Sequence, residues 1–168
     1  MRLLKSTVHP SVSASEPRQF TRLTSRAIAL KGTDILLMYT ARYEDFSLPG
    51  GGIDEGEDIR SAAMRELTEE TGVRSAAFLA ETEDWLTYDL PDHLLGVAWK
   101  GRYRGQKQKW IACRFAGDDS EVDISGIGHK PEFDEWRWAD INELEDLIVP
   151  FKRDVYSQVI AAFRHLTV

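Results

Sequence analysis

Three carboxylates in the middle of the chain share one side of a helix that must also bury apolar side chains, and this pattern constrains the fold more than any other. From Asp58 to Thr71 the composition is helical, with Asp58 suited to the N-cap and Gly72 placed to end the last turn. At about 100° per residue, Glu66, Glu69 and Glu70 fall within a sector of roughly 100° that they share with Ile59 and Ala62. Carboxylates crowded on a partly apolar face repel one another and lose hydration, so either their pKa values rise or a cation neutralises them. A divalent metal is the economical answer. Oxygen ligands favour Mg2+, with Mn2+ able to substitute, over zinc. The histidines His9, His93, His129 and His165 show no paired ligand spacing. The competing reading makes Glu69 and Glu70 solvated surface charges, with Arg65 pairing Glu69 one turn on.

Such a helix needs a sheet to lie on. Arg26 to Lys31 and Ile35 to Thr40 read as strands of a hairpin around Gly32-Thr33-Asp34, and a glycine-rich loop, Pro49 to Gly52, leads towards the helix. Further strands are expected at Ala77 to Glu81, Asp84 to Tyr88, Trp110 to Phe115 and Trp136 to Ala139. A short helix, Ile141 to Leu147, and an amphipathic one, Phe151 to Leu166, complete the pattern. The fold class is α/β, a mixed β-sheet in an α/β/α sandwich. With 168 residues the chain has room for one domain, 24–168, preceded by a Ser-, Thr- and Pro-rich arm, 1–23, that is flexible or loosely docked. The net charge of −7, from 21 basic and 28 acidic residues, argues against coating duplex DNA in bulk. No apolar run is long enough for a signal peptide or a membrane partner, and the single Cys113 suits a reducing, cytoplasmic setting.

The string from Gly51 to Val73 reads G-x5-E-x7-R-E-L-x-E-E-x-G-V, with Gly51, Glu57, Arg65, Glu66, Leu67, Glu69, Glu70, Gly72 and Val73 each in place. It resembles the box of the Nudix family. The resemblance implies the Nudix fold and hydrolysis of a nucleoside diphosphate linked to another group. It implies that Glu69 and Glu70 ligate Mg2+, that Glu66 is a ligand or base, and that the carbonyl of Gly50 completes the set. Arg65 would pair with Glu57 to orient the helix. Bound metal would lower the pKa of a water and neutralise the diphosphate, so that hydroxide attacks phosphorus in line.

Between Lys100 and Arg114 lie six basic residues (Lys100, Arg102, Arg104, Lys107, Lys109 and Arg114) and no acidic one. A basic hairpin beside an acidic helix would suit a polyphosphate, although on charge alone it reads equally well as a solvated hairpin. The segments GQKQKW at Gly105, PEFDEWRW at Pro131 and PFKRDVY at Pro150 resemble RNA pyrophosphohydrolases and bacterial dinucleoside polyphosphate hydrolases. That resemblance implies Glu132 as a further metal ligand and possible general base, with Lys107, Lys109 and Lys152 near the phosphates. It implies Phe151 stacked on a nucleobase, Tyr88 as a marker tyrosine and Arg22 as a substrate-binding arginine. The partner would be a nucleotide polyphosphate or a 5′-triphosphorylated RNA end. The first half departs from that group: TRLTSRAIALKG stands where its opening Tyr-Arg-x-Asn-Val-Gly segment is expected, and FSLPGGGIDEG where its tryptophan and glutamines are. This half looks more like a branch acting on small nucleotides or sugar nucleotides, so the chain reads as a mosaic joined in the box region. The alternatives are an ADP-ribose or nucleoside-diphosphate-sugar hydrolase, and a catalytically silent binding module.

Overall fold

β1 (Thr21–Lys31) is the central strand because from Ala27 onward both of its faces are apolar. Ala27 and Ala29 point to one side and Ile28 and Leu30 to the other, all fully buried. The computed structural model describes residues 21–126 and 128–167. Along the chain follow β2 (Asp34–Thr40), β3 (Asp45–Ser47), β4 (Gly50–Gly52), α1 (Ile59–Thr71), β5 (Ala76–Glu81), β6 (Leu86–Asp89), β7 (Gly105–Phe115), β8 (Glu135–Asp140), α2 (Leu144–Leu147) and α3 (Arg153–Phe163). The mixed sheet has the order β3-β2-β1-β7-β5, with β4 also on β1, β6 on β7 and β8 on β2. β1 and β7 run parallel from Thr21 opposite Gly105 to Leu30 opposite Arg114. A parallel pair needs a long crossover, and the segment carrying α1 supplies it.

The two faces have separate cores. α1 covers Ala27, Ala29, Leu36, Met38, Ile111 and Cys113 through Ala63 and Leu67. α2 and α3 cover Ile28, Leu30, Ile35, Leu37 and Trp110 through Leu144, Val155, Val159, Ile160 and Phe163. The result is the expected α/β/α sandwich. α1 begins and ends where the sequence places it: the Asp58 carboxylate accepts the Ser61 N–H at 2.7 Å, and Gly72 closes the helix at φ 76°.

Three differences from the sequence reading bear on the site. β1 starts at Thr21, so residues 21–23 of the expected arm belong to the sheet, paired with Gly105 to Lys107, while residues 1–20 lie outside the described residues. β7 starts at Gly105, five residues before the expected Trp110, because Gln106 and Gln108 are buried by hydrogen bonds rather than by apolarity. Thr24 Oγ1 and Gln108 Nε2 donate to Gln106 Oε1 at 3.2 and 2.7 Å, and Trp110 Nε1 donates to Gln108 Oε1 at 2.9 Å. The glycine-rich loop is itself part of the sheet, as Gly50 to Gly52 pair with Arg26 to Thr24.

A Cβ on Gly72 would stand 2.8 Å from the Glu121 carbonyl in addition to straining a left-handed backbone. Gly72→Ala should therefore lower stability by more than about 1 kcal/mol. The loss should appear as a lower urea midpoint at an unchanged slope.

Candidate active site

Arg65 organises the site by joining the loop before α1 to the carboxylates along it. Its Nε and Nη2 grip Glu57 at 2.8 and 3.0 Å, Nη2 also reaches the Gly52 carbonyl at 3.0 Å, and Nη1 spans Glu66 at 3.0 Å and Glu69 at 3.2 Å. The Asp54 N–H donates to Glu57 at 3.0 Å from within the same loop. The paired arginine holds the Glu57 carboxyl below its ordinary pKa, and Glu57 in turn raises that of Arg65. The expected Glu57–Arg65 pairing is present.

The remaining carboxylates sit where charge is costly. Glu66 lies against the glycine strand so closely that a Cβ on Gly51 would stand 2.5 Å from its Oε1. Burial raises its pKa, with Glu69 and Glu132 adding to the effect and Arg65 opposing it. Glu70 is 6% exposed and accepts the Gly50 N–H at 2.8 Å. Burial pushes its carboxyl up to about 9, against the attraction of Arg26 and the Gly50 bond, and the neighbouring Glu132 pushes the same way. Among the described residues no three acidic, His or Cys side chains are gathered into a ready metal cage. Arg65 draws Glu66 and Glu69 towards itself, while Glu70 faces Gly50 and Glu132.

Of these carboxylates Glu70 opens onto a cleft of about 620 Å³, lined also by Arg26, Arg42, Asp45, Gly50, Glu132 and Lys152, among others, while Glu57, Glu66 and Glu69 lie outside its lining. The segment bearing Glu132 is fastened to the end of β2. Asp134 N–H donates to the Tyr39 carbonyl at 2.9 Å, its carboxylate accepts the Ala41 N–H at 2.7 Å, and Thr40 Oγ1 reaches the Glu132 carbonyl at 3.3 Å. The same clamp fixes the turn that carries Arg42. Arg26 lies over the Trp110 ring at 5.6 Å and donates from Nη2 to the Leu48 carbonyl. Lys152 stands 3.6 Å from Asp45, and burial lowers its pKa.

The structure separates other residues that the sequence groups at the site. Lys107 and Lys109 alternate with the buried Gln106 and Gln108 on β7 and so point to the opposite face. There Lys109 donates to the Thr82 and Glu83 carbonyls at 2.8 and 2.6 Å, and Lys107 lies 5.8 Å from the Trp85 ring. Neither lines the cleft. Arg104 pairs with Asp89 and Arg114 with the Leu166 carbonyl, so the basic stretch disperses instead of converging. Tyr88 is a core residue at 8% exposure, its phenol pKa raised by burial, and it packs against the partly buried Phe151 at 5.6 Å. Arg22 sits on β1 opposite Gln106, outside the cleft lining. Sequence reasoning missed Arg26, Arg42, Asp45 and Asp134. The available signals were a charge at the head of the apolar run of β1 and the polar interruption RYED after β2.

A NUDIX domain model matches residues 21–159. The chain belongs to the NUDIX family. Because the match runs across Asp58, one family accounts for both halves, and the mosaic origin expected from the sequence is not needed. An RNA pyrophosphohydrolase from Mesorhizobium japonicum is 60% identical over 123 residues, 72% of this chain and 71% of that protein. One from Rhizobium meliloti is 58% identical over 123 residues, 72% of this chain and 74% of that protein. The crystal structure of a C. elegans Ap4A hydrolase binary complex has the same fold, with a TM-score of 0.62 over 86% of this chain and 99% of that one at 17% identity.

Nudix hydrolases use a divalent metal, and this site fits one. The buried Glu70 faces the exposed Glu132 across the mouth of the cleft, and Gly51 leaves room for Glu66 alone. The protonation of Glu70 gives a test. Its carboxyl loses a proton near 4.5 when unfolded and near 9 when folded, so without metal the folded state holds the extra proton between those values. Stability should therefore fall as pH rises through that window. Glu70→Gln should flatten this slope and, in chelator at about pH 8, melt roughly 5 °C above the parent. Added Mg2+ should stabilise the parent and reverse the order. Parallel slopes for the two proteins in thermal melts would contradict the assignment.

Proposed function

We propose that the chain is a Mg2+-dependent cytoplasmic hydrolase of phosphoanhydride bonds that removes pyrophosphate from 5′-triphosphorylated RNA ends or cleaves dinucleoside polyphosphates. One observation carries the reading: a single cleft is lined both by the carboxylates Glu70 and Glu132 and by the cations Arg26, Arg42 and Lys152. Cations hold a polyanion while carboxylates serve the bond to be broken. The relatives named RNA pyrophosphohydrolase support the RNA end as substrate.

In this reading Glu66, Glu69, Glu70, Glu132 and the Gly50 carbonyl hold the metal. Bound there, Mg2+ would supply a water of lowered pKa and offset charge on the phosphoryl oxygens. Arg26 and Arg42 take non-bridging oxygens through charge-assisted hydrogen bonds. Glu132, exposed at the cleft on a loop anchored by Thr40 and Asp134, would accept the proton of the attacking water through a carboxylate oxygen that it does not give to the metal. Arg65 and Glu57 keep α1 in register with the glycine strand. Phe151 offers a face to a base, and the catalytic domain is the part of the chain from Thr21 onward.

The test is a Mg2+ hydrolysis screen across triphosphorylated RNA, diadenosine tetraphosphate and ADP-ribose. RNA or diadenosine tetraphosphate should be preferred, and Glu70→Gln should lower kcat/KM by at least about 100-fold. Preference for ADP-ribose would move the substrate class to sugar nucleotides. Turnover unchanged in Glu70→Gln would overturn the metal site, and no turnover on any substrate would favour a binding module.

A further inference from the structure

The sheet ends on one side in β8, which pairs with β2 and with no other strand among the described residues. Which of its backbone groups face outward can be read at its end. The Ile141 N–H reaches the Thr33 carbonyl at 3.5 Å, and in the register that sets Asp140 opposite Asp34 this makes the odd-numbered residues of β8 the ones bonded to β2. The even-numbered residues therefore turn their N–H and C=O groups away from the sheet. That of Asp140 donates to the Glu143 carboxylate at 3.2 Å. The backbone groups of Trp136 and Trp138 have no such partner among the described residues. A hollow of about 610 Å³ runs past the same edge, lined by Ile124 and Trp136 from the α1 face and by Leu37 and Arg137 from the other. An open edge is a template for another strand, and proteins commonly guard it with charge. Here the guard is complementary to itself: β8 reads Glu135-Trp136-Arg137-Trp138, with Glu135 and Arg137 exposed on one face and the two tryptophans half-buried on the other.

We propose that β8 pairs antiparallel with β8 of a second copy of this chain, about a two-fold axis through Trp136. The proposal draws nothing from the hydrolase reading. Trp136 then opposes its counterpart as a hydrogen-bonded pair, with Cα atoms about 5.5 Å apart, which is what the outward parity requires. Glu135 faces the partner's Arg137, and Arg137 the partner's Glu135, at the closer positions without hydrogen bonds, where opposite charges stabilise a strand pair. On the other face the two Trp136 indoles lie side by side and leave water together. Other registers lose this match. An axis through Arg137 would set arginine against arginine, and one through Trp138 would leave Arg137 facing Ala139. The contact is isologous and closed, so it ends at a dimer and does not propagate into a fibre. It would also brace the strand that follows Asp134, the residue that clamps the Glu132 loop to β2.

Sedimentation of the full chain at about 100 μM should give twice the 19.1 kDa of a single chain. Arg137→Glu sets glutamate against glutamate and should raise the dimer Kd at least about tenfold, as should Glu135→Arg. Combining Glu135→Arg with Arg137→Glu rebuilds both ion pairs in the opposite sense and should return the Kd to within about threefold of the parent's. Loss of dimer through misfolding of a single variant would not be repaired in this way. Trp136→Cys should cross-link to its counterpart on mild oxidation, because the Cα separation suits a disulfide, whereas Gln158→Cys, exposed on α3, should not. A monomeric parent, a dimer indifferent to either single reversal, or a double variant no better than the single ones would overturn the proposal.

Discussion

The site depends on one guanidinium held between two structural elements. Arg65 belongs to α1, yet its strongest partner, Glu57, and its backbone partner, the Gly52 carbonyl, belong to the segment before that helix. Glycine at position 51 lets the strand approach Glu66 closely enough for this to happen. The arginine thus fixes the distance between α1 and β4, and with it the distance between the carboxylates and the cleft. Lysine could not do this, because a single ammonium has no planar fork to hold Glu57 through two atoms while also bonding Glu66 and Glu69.

What the sequence made legible was local. The cap at Asp58, the stop at Gly72 and the Glu57–Arg65 pair all fall within a short span, where spacing translates directly into geometry. The apolar strands were legible for the same reason. The start of β7 was not, because Gln106 and Gln108 are buried through a hydrogen-bond ladder to Thr24 and Trp110, and composition alone does not reveal such a ladder. Lys107 and Lys109 were misplaced with it. Once residues 105–109 are a strand, alternation sends the lysines to the face away from the glutamines, whereas a loop would have left both free to turn towards phosphate.

The cleft residues missed in the sequence come from separate stretches of chain. Arg26 lies on β1, Arg42 and Asp45 follow β2, and Asp134 precedes β8. They meet because β2 pairs with both β3 and β8 on the flank of the sheet that also carries β4. That pairing brings the turn after β2 next to the Pro131–Asp134 loop, and Asp134 locks the two together through Ala41 and Tyr39. No periodicity announces such a meeting, because the charge on β1 and the polar interruption after β2 mark positions within their own segments and not which segments come together.

The carboxylate helix α1 combines a stable scaffold with an unstable charge pattern. Leu67 and Ala63 anchor α1 in the core, while Glu70 on the same helix is buried with its carboxyl pushed up to about 9. A cation binding there must displace the proton that Glu70 keeps, so metal affinity should rise with pH over the same range in which the metal-free fold weakens. The two slopes oppose each other, and loss of fold stability at alkaline pH is offset only when the cation is present. A neutral residue at position 70 would ease folding but would remove the charge that the proposed metal site needs, so the cost of burying this carboxylate belongs to that proposal.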